Sequence, residues 1–107
     1  MATTYKQAVT TLTQAIDNLD RAYRSAYGMD DKNRLFSMRE LLQEELDTVL
    51  AAGLSDSRSG YRAQTPLFKV ASNYLAQSRD AINHHVNHIR VVGQVADSLA
   101  KVVRLLA

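Results

Sequence analysis

The chain has no cysteine and no tryptophan, and only one proline and four glycines among 107 residues. Without thiols it can form no disulfide, hold no metal through thiolate and run no thiol chemistry. The scarcity of proline and glycine argues against sandwiches and barrels, whose turns consume such residues, and favours long helices. Long apolar runs are missing too. The most apolar stretch, residues 91–107, is interrupted by Asp97, Lys101 and Arg104, which is too short and too charged to span a bilayer. The opening segment MATTYKQAVTTL has no basic run followed by an apolar one, so no cleaved leader is expected and cytoplasmic residence is the default.

What is present is the composition of an ordinary folded protein, 46% apolar and 22% charged, at a length that suits a single domain. The net charge of +2 divides unevenly. Residues 1–53 carry six basic and eight acidic side chains, and residues 54–107 carry seven and three. The two halves can therefore attract each other or a second copy. Basic residues spread along the second half do not form the clustered face of a nucleic-acid binder, so nucleic acid is not an expected partner.

Apolar spacing predicts an all-α fold with helices over about residues 4–27, 30–52 and 66–106, and a loop over 54–65. In the first helix Tyr5, Val9, Leu12, Ile16, Leu19, Tyr23 and Ala26 recur every three or four residues. Ala8, Ala15 and Ala22 flank that stripe and permit close helix approach. Thr3 or Thr4 is placed to cap its start, and Gly28 to end it in a left-handed turn. Asp30 is the expected cap of the second helix, with Leu35, Met38, Leu42, Leu46, Val49 and Leu50 on its buried face, widened by Phe36 and Leu41. Glu40, Glu44, Glu45 and Asp47 are expected opposite, and Gly53 stops the helix. Thr65 or Gln64 precedes Pro66, which suits the first turn of the third helix.

That third helix carries an unbroken heptad register: Phe68, Ala71, Leu75, Ser78, Ile82, His85, Ile89, Val92, Ala96, Leu99, Val103 and Leu106. About 40 helical residues make a rod of roughly 60 Å, against roughly 35 Å for each of the other two. A helical hairpin then covers only part of it. Either the rod bends at Gly93, folding residues 94–106 back into a four-helix bundle, or it stays straight and its free stripe meets a partner. A glycine inside a helix costs only about 1 kcal/mol, less than exposing the stripe. The straight helix is favoured on that ground. The expectation is a coiled-coil-like homodimer seam through Leu75, Ile82, His85, Ile89, Val92, Leu99, Val103 and Leu106. His85, as a polar core position, would fix the register and loosen the pairing when protonated.

Other candidates carry less. Asp80, His84 and His88 are spaced i, i+4, i+8, which on a helix can approach one metal ion, but two histidines and a carboxylate fall short of a structural set, and a solvated face is the expectation. Arg58, Tyr61 and Arg62 in the loop are residue types common at interface hot spots, set in what reads as a solvated connector. The segment Arg79-Asp80-Ala81-Ile82-Asn83-His84 resembles the Arg-x4-6-His motif of the HEPN nucleases, small helical proteins that cut RNA at a dimer interface. That resemblance implies a general acid or base in His84 and a transition-state cation in Arg79. Here the motif lies mid-helix, whereas the family's opens a late helix. The turn Ala26-Tyr27-Gly28, in a short cysteine-free helical chain, is similar in size and composition to the Trp-x-Gly hairpin substrates of bacterial secretion, without their tryptophan.

There is no phosphate-cradling glycine loop, nucleophile elbow or paired-carboxylate motif. The expected function is therefore not catalysis. It is protein–protein interaction, as a scaffold, adaptor or chaperone-like subunit binding its own copy and another protein, with no cofactor, small-molecule substrate or membrane.

Overall fold

The computed structural model describes residues 3–86 and 88–106 and shows five α-helices, with no strand among the described residues. They are α1 (Tyr5–Arg24), α2 (Met29–Ala51), α3 (Pro66–Lys69), α4 (Ser72–Ala81) and α5 (Ile89–Leu105), with a 3-10 turn Ile82–His84 extending α4. The all-α bundle expected from the spacing is what forms. α1 packs on α2 and on α5, and α5 packs back on α4. Two hairpins thus face each other around one core.

Local signals set several boundaries. Thr4 caps α1 through a reciprocal capping box, its hydroxyl accepting from the Gln7 amide while the Gln7 side chain accepts from the Thr4 amide. Ala8, Ala15 and Ala22 are fully buried, so the small side chains do bring α1 close to its neighbours. Gly53 adopts φ +72° after α2, a conformation in which glycine carries no Cβ penalty. Thr65 caps α3 through its hydroxyl, with Pro66 in the first turn. The cap of α2 differs from expectation. Gly28 occupies it in extended backbone, not a left-handed turn, and Asp30 lies inside the first turn beside Asp31. Leu50 and Phe36, expected on the buried face of α2, are exposed, while Glu45, expected in solvent, is completely buried.

The long third helix is the main correction. The chain does not continue as one rod over 66–106. It breaks between α3 and α4 and reverses between His84 and Ile89; Asn87 lies outside the described residues. Gly93 lies within α5 and bends nothing. The longest dimension of the molecule is 39 Å, well short of a straight third helix.

The reason lies in residues 83–86, Asn-His-His-Val, all weak helix formers, of which His85 and Val86 find partners on the α1–α2 turn. His85 Nδ1 meets Asp31 Oδ1 at 2.7 Å. The Tyr27 amide donates to the His85 carbonyl at 3.3 Å, within an antiparallel bridge pairing Ala26 with Val86. The corner is thereby stitched to the α1–α2 turn, and Val86 is buried beneath it. Folded back, α5 buries Val95, Leu99 and Val102 inside the same molecule.

The 54–65 segment is a strap rather than a free connector. Its Ser57 and Ser59 carbonyls accept from the Lys6 and Tyr5 amides, and the Tyr61 amide donates to the Thr3 carbonyl. These bonds satisfy amides at the start of α1 that no helical carbonyl can reach.

Candidate functional site

Four exposed apolar side chains, Phe36, Leu67, Val70 and Tyr74, gather between α2 and the α3–α4 segment. The Thr65-Pro66 start fixes α3 so that Phe68 enters the core while its neighbours Leu67 and Val70 face outwards. Phe36 and Tyr74 come up from α2 and α4 on either side, with Leu41 at the base. Phe36 is 51% exposed, Leu67 63% and Val70 77%, unusual values for such side chains in a bundle this small. Together they line an open groove of about 680 Å³.

One bank of the groove is acidic. Glu40, Glu44 and Asp47 line it, and no basic side chain does among the described residues. Gln43 donates to Asp47 at 2.8 Å and Arg39 to Glu40 at 3.1 Å, while Arg39 also holds Asp20 of α1 at 2.8 Å. The arrangement offers an apolar floor and a negative rim. Among the described residues lining it, none is a nucleophile paired with a base.

No protein family, curated protein or solved structure matches the chain. The reading of the surface therefore rests on its own geometry.

A smaller recess of about 230 Å³ lies alongside, lined by Arg34 and Met38 of α2, by Tyr74, Gln77, Ser78 and Ala81 of α4, and by His85. Ser78 and His85, the two polar members of the heptad stripe, are thus gathered at one place. His85, expected at a seam between copies, here meets Asp31 of its own chain. Burial pushes the Tyr74 phenol above its ordinary range, against smaller opposing effects of a bond to Ser78 and the charge of Arg34.

The other seam residues disperse. Leu75, Ile82 and Leu99 belong to the core, Val92, Val103 and Leu106 pack half-buried against it, and Ile89 alone stands in water, 89% exposed. Much of the stripe is thus covered within the one chain. Of the loop residues, Arg58 and Arg62 are exposed, but Tyr61 is structural. Its ring packs edge-on against Tyr5, centroids 5.4 Å apart, and its hydroxyl donates to Glu45 at 2.6 Å.

The metal and nuclease candidates fall at the end of α4 and in the corner. The helical face that would align Asp80, His84 and His88 ends at the 3-10 turn, and no three ligand-type side chains converge among the described residues. Arg79 holds the neighbouring Asp80 at 3.1 Å, His84 is exposed, and neither lines the adjacent recess. The Ala26-Tyr27-Gly28 turn serves as the anchor for Val86. No helix among the described residues is long and apolar enough to cross a membrane.

Sequence reasoning missed the groove and Glu45. Glu45 accepts from the Gln64 and Thr65 amides, the Thr65 hydroxyl and the Tyr61 hydroxyl, a full set of partners for a buried carboxylate. Its signal was its spacing: position 45 falls on the same face as Leu42, Leu46 and Val49.

Proposed function

We propose that the chain is a non-enzymatic protein-binding subunit, an adaptor whose groove between α2 and α3–α4 receives an amphipathic, basic helix from a partner protein. The observation that carries this reading is the pairing of an open apolar floor, Phe36, Leu67 and Val70, with a rim of three carboxylates, of which Glu40 is held by Arg39. Helix-in-groove recognition seats apolar residues at i, i+3 or i+4 and i+7, and here Lys or Arg beside them would meet Glu40, Glu44 and Asp47. The acidic rim disfavours an acidic partner and a negatively charged nucleic acid alike.

The test is selection from a random helical-peptide library displayed on phage, with the Val70→Asp protein used for counter-selection. The expected winners carry Leu or Phe at helical spacing flanked by Lys or Arg, bind more weakly as salt rises, and lose binding to Val70→Asp. Recovery of acidic or unpatterned peptides, or of peptides that bind Val70→Asp equally well, would end the proposal.

A further inference from the structure

We propose that the chain exchanges α5 with a second copy of itself, the 3-10 turn and corner straightening so that α4 and α5 join into one helix. The inference does not depend on the groove. It begins from the register: Leu75, Ser78, Ile82, His85, Ile89 and Val92 keep alternating steps of three and four through the corner. The apolar pattern is compatible with a bent or a straight chain, because both use the same face. In the closed molecule α5 lies on α1 and α4. A neighbouring copy offers the identical seat, so an exchanged α5 recovers the burial of Val95, Leu99 and Val102 in trans.

The closed corner has specific weaknesses. His88 precedes α5 without a side-chain cap bond to the backbone groups of its first turn, and the cap residue of the 3-10 turn makes none either. Ile89 occupies a stripe position yet stands in water. A continuous helix would pair those backbone groups and return Ile89 to an apolar seam between the two long helices. Opposing this is a small set of contacts: His85 with Asp31, the Tyr27 amide with the His85 carbonyl, and buried Val86. The corner is a clip that the rest of the sequence does not require.

The absence of cysteine makes the exchange directly readable. Asn18 of α1 donates to Ser98 of α5 at 2.5 Å, so the Asn18→Cys/Ser98→Cys chain places a thiol on each side of the exchanged contact. The protein is partly unfolded and refolded at high concentration, the dimer is isolated by size exclusion, and it is then oxidised. Exchange gives a covalent dimer on a non-reducing gel. A dimer formed by any other surface closes each disulfide within its own chain and runs as monomer, which overturns the proposal, as does the absence of dimer.

A second variant works without cysteines. Ile89→Pro suits the closed form, since proline is favoured in the first helical turn and His88 already holds the extended φ −116°, ψ 116° that a following proline demands. The same proline breaks a helix running through residue 89. Ile89→Pro should therefore lose the dimer while keeping helicity, and Asp31→Ala should raise the dimer fraction several-fold. An unchanged dimer in Ile89→Pro would refute the exchange.

Discussion

His85 Nδ1 lies 2.7 Å from Asp31 Oδ1, joining the corner after α4 to the first turn of α2 across 54 residues of sequence. Both side chains are largely sheltered. Partly buried bonds to charged groups contribute more than exposed ion pairs, and removing either partner should cost about 1–2 kcal/mol. Urea unfolding of Asp31→Ala, His85→Ala and the double variant forms a cycle. The double variant should lose less than the sum of the singles, and strict additivity would show that the two side chains do not interact.

Glu45 should be the most sensitive polar position. Replacing it with Ala leaves the buried Thr65 amide and its neighbours without an acceptor, a loss of about 3 kcal/mol. The 54–65 strap should loosen at the same time. Limited trypsin digestion at Arg58 and Arg62 reads this, with faster cleavage expected in Glu45→Ala than in wild type.

Alkaline pH should weaken the fold through the same network. Tyr61 holds its proton beyond the ordinary tyrosine range, first because it is buried and then because it donates to the Glu45 carboxylate. A folded-state value raised above the unfolded one means that the fold favours the neutral phenol. Its contribution is complete below about pH 10, where an unfolded tyrosine ionises, and declines as pH rises past that point. Tyr74 acts in the same direction. Urea midpoints measured from about pH 8 to about pH 11 should fall more steeply in wild type than in Tyr61→Phe.

Two positions of the one heptad stripe should behave oppositely. Leu99 is fully buried and Leu99→Ala should cost about 2–5 kcal/mol. Ile89 is exposed, and Ile89→Ala should change stability by no more than about 0.5 kcal/mol. Equal losses at both would restore a seam shared along the whole stripe.

The glycines make a comparable pair. Gly93 lies within α5 with nothing within 4 Å of where a Cβ would stand, so Gly93→Ala should stabilise by about 0.5–1 kcal/mol. Gly53 has φ +72°, and Gly53→Ala should destabilise by about 1 kcal/mol. Thermal melts of the two variants should move in opposite directions.

These contrasts show what a sequence of this kind reveals. Thr4, Gly53 and Thr65-Pro66 were legible because a cap or a turn is decided by residues within a few positions of one another. The inner faces of α1 and α2 were largely legible from their period, although Tyr23, expected on the α1 stripe, is 38% exposed. The corner was not, because its partners Ala26, Tyr27 and Asp31 are distant in sequence and nothing local announces them. A heptad stripe states which residues avoid water and leaves open whether they meet their own chain or another. The groove was equally hidden: Phe36 reads as part of the buried face of α2, and nothing local marks Leu67 and Val70 as its exposed neighbours across the groove.

The position of α5 over α1 also bears on synthesis. The helix that covers one flank of α1 comes from residues 89–105, so it is translated long after the surface it protects. On the ribosome, that flank stays bare until those residues emerge. During this interval the nascent polypeptide is open to chaperones, and to clumping with its siblings on a polysome.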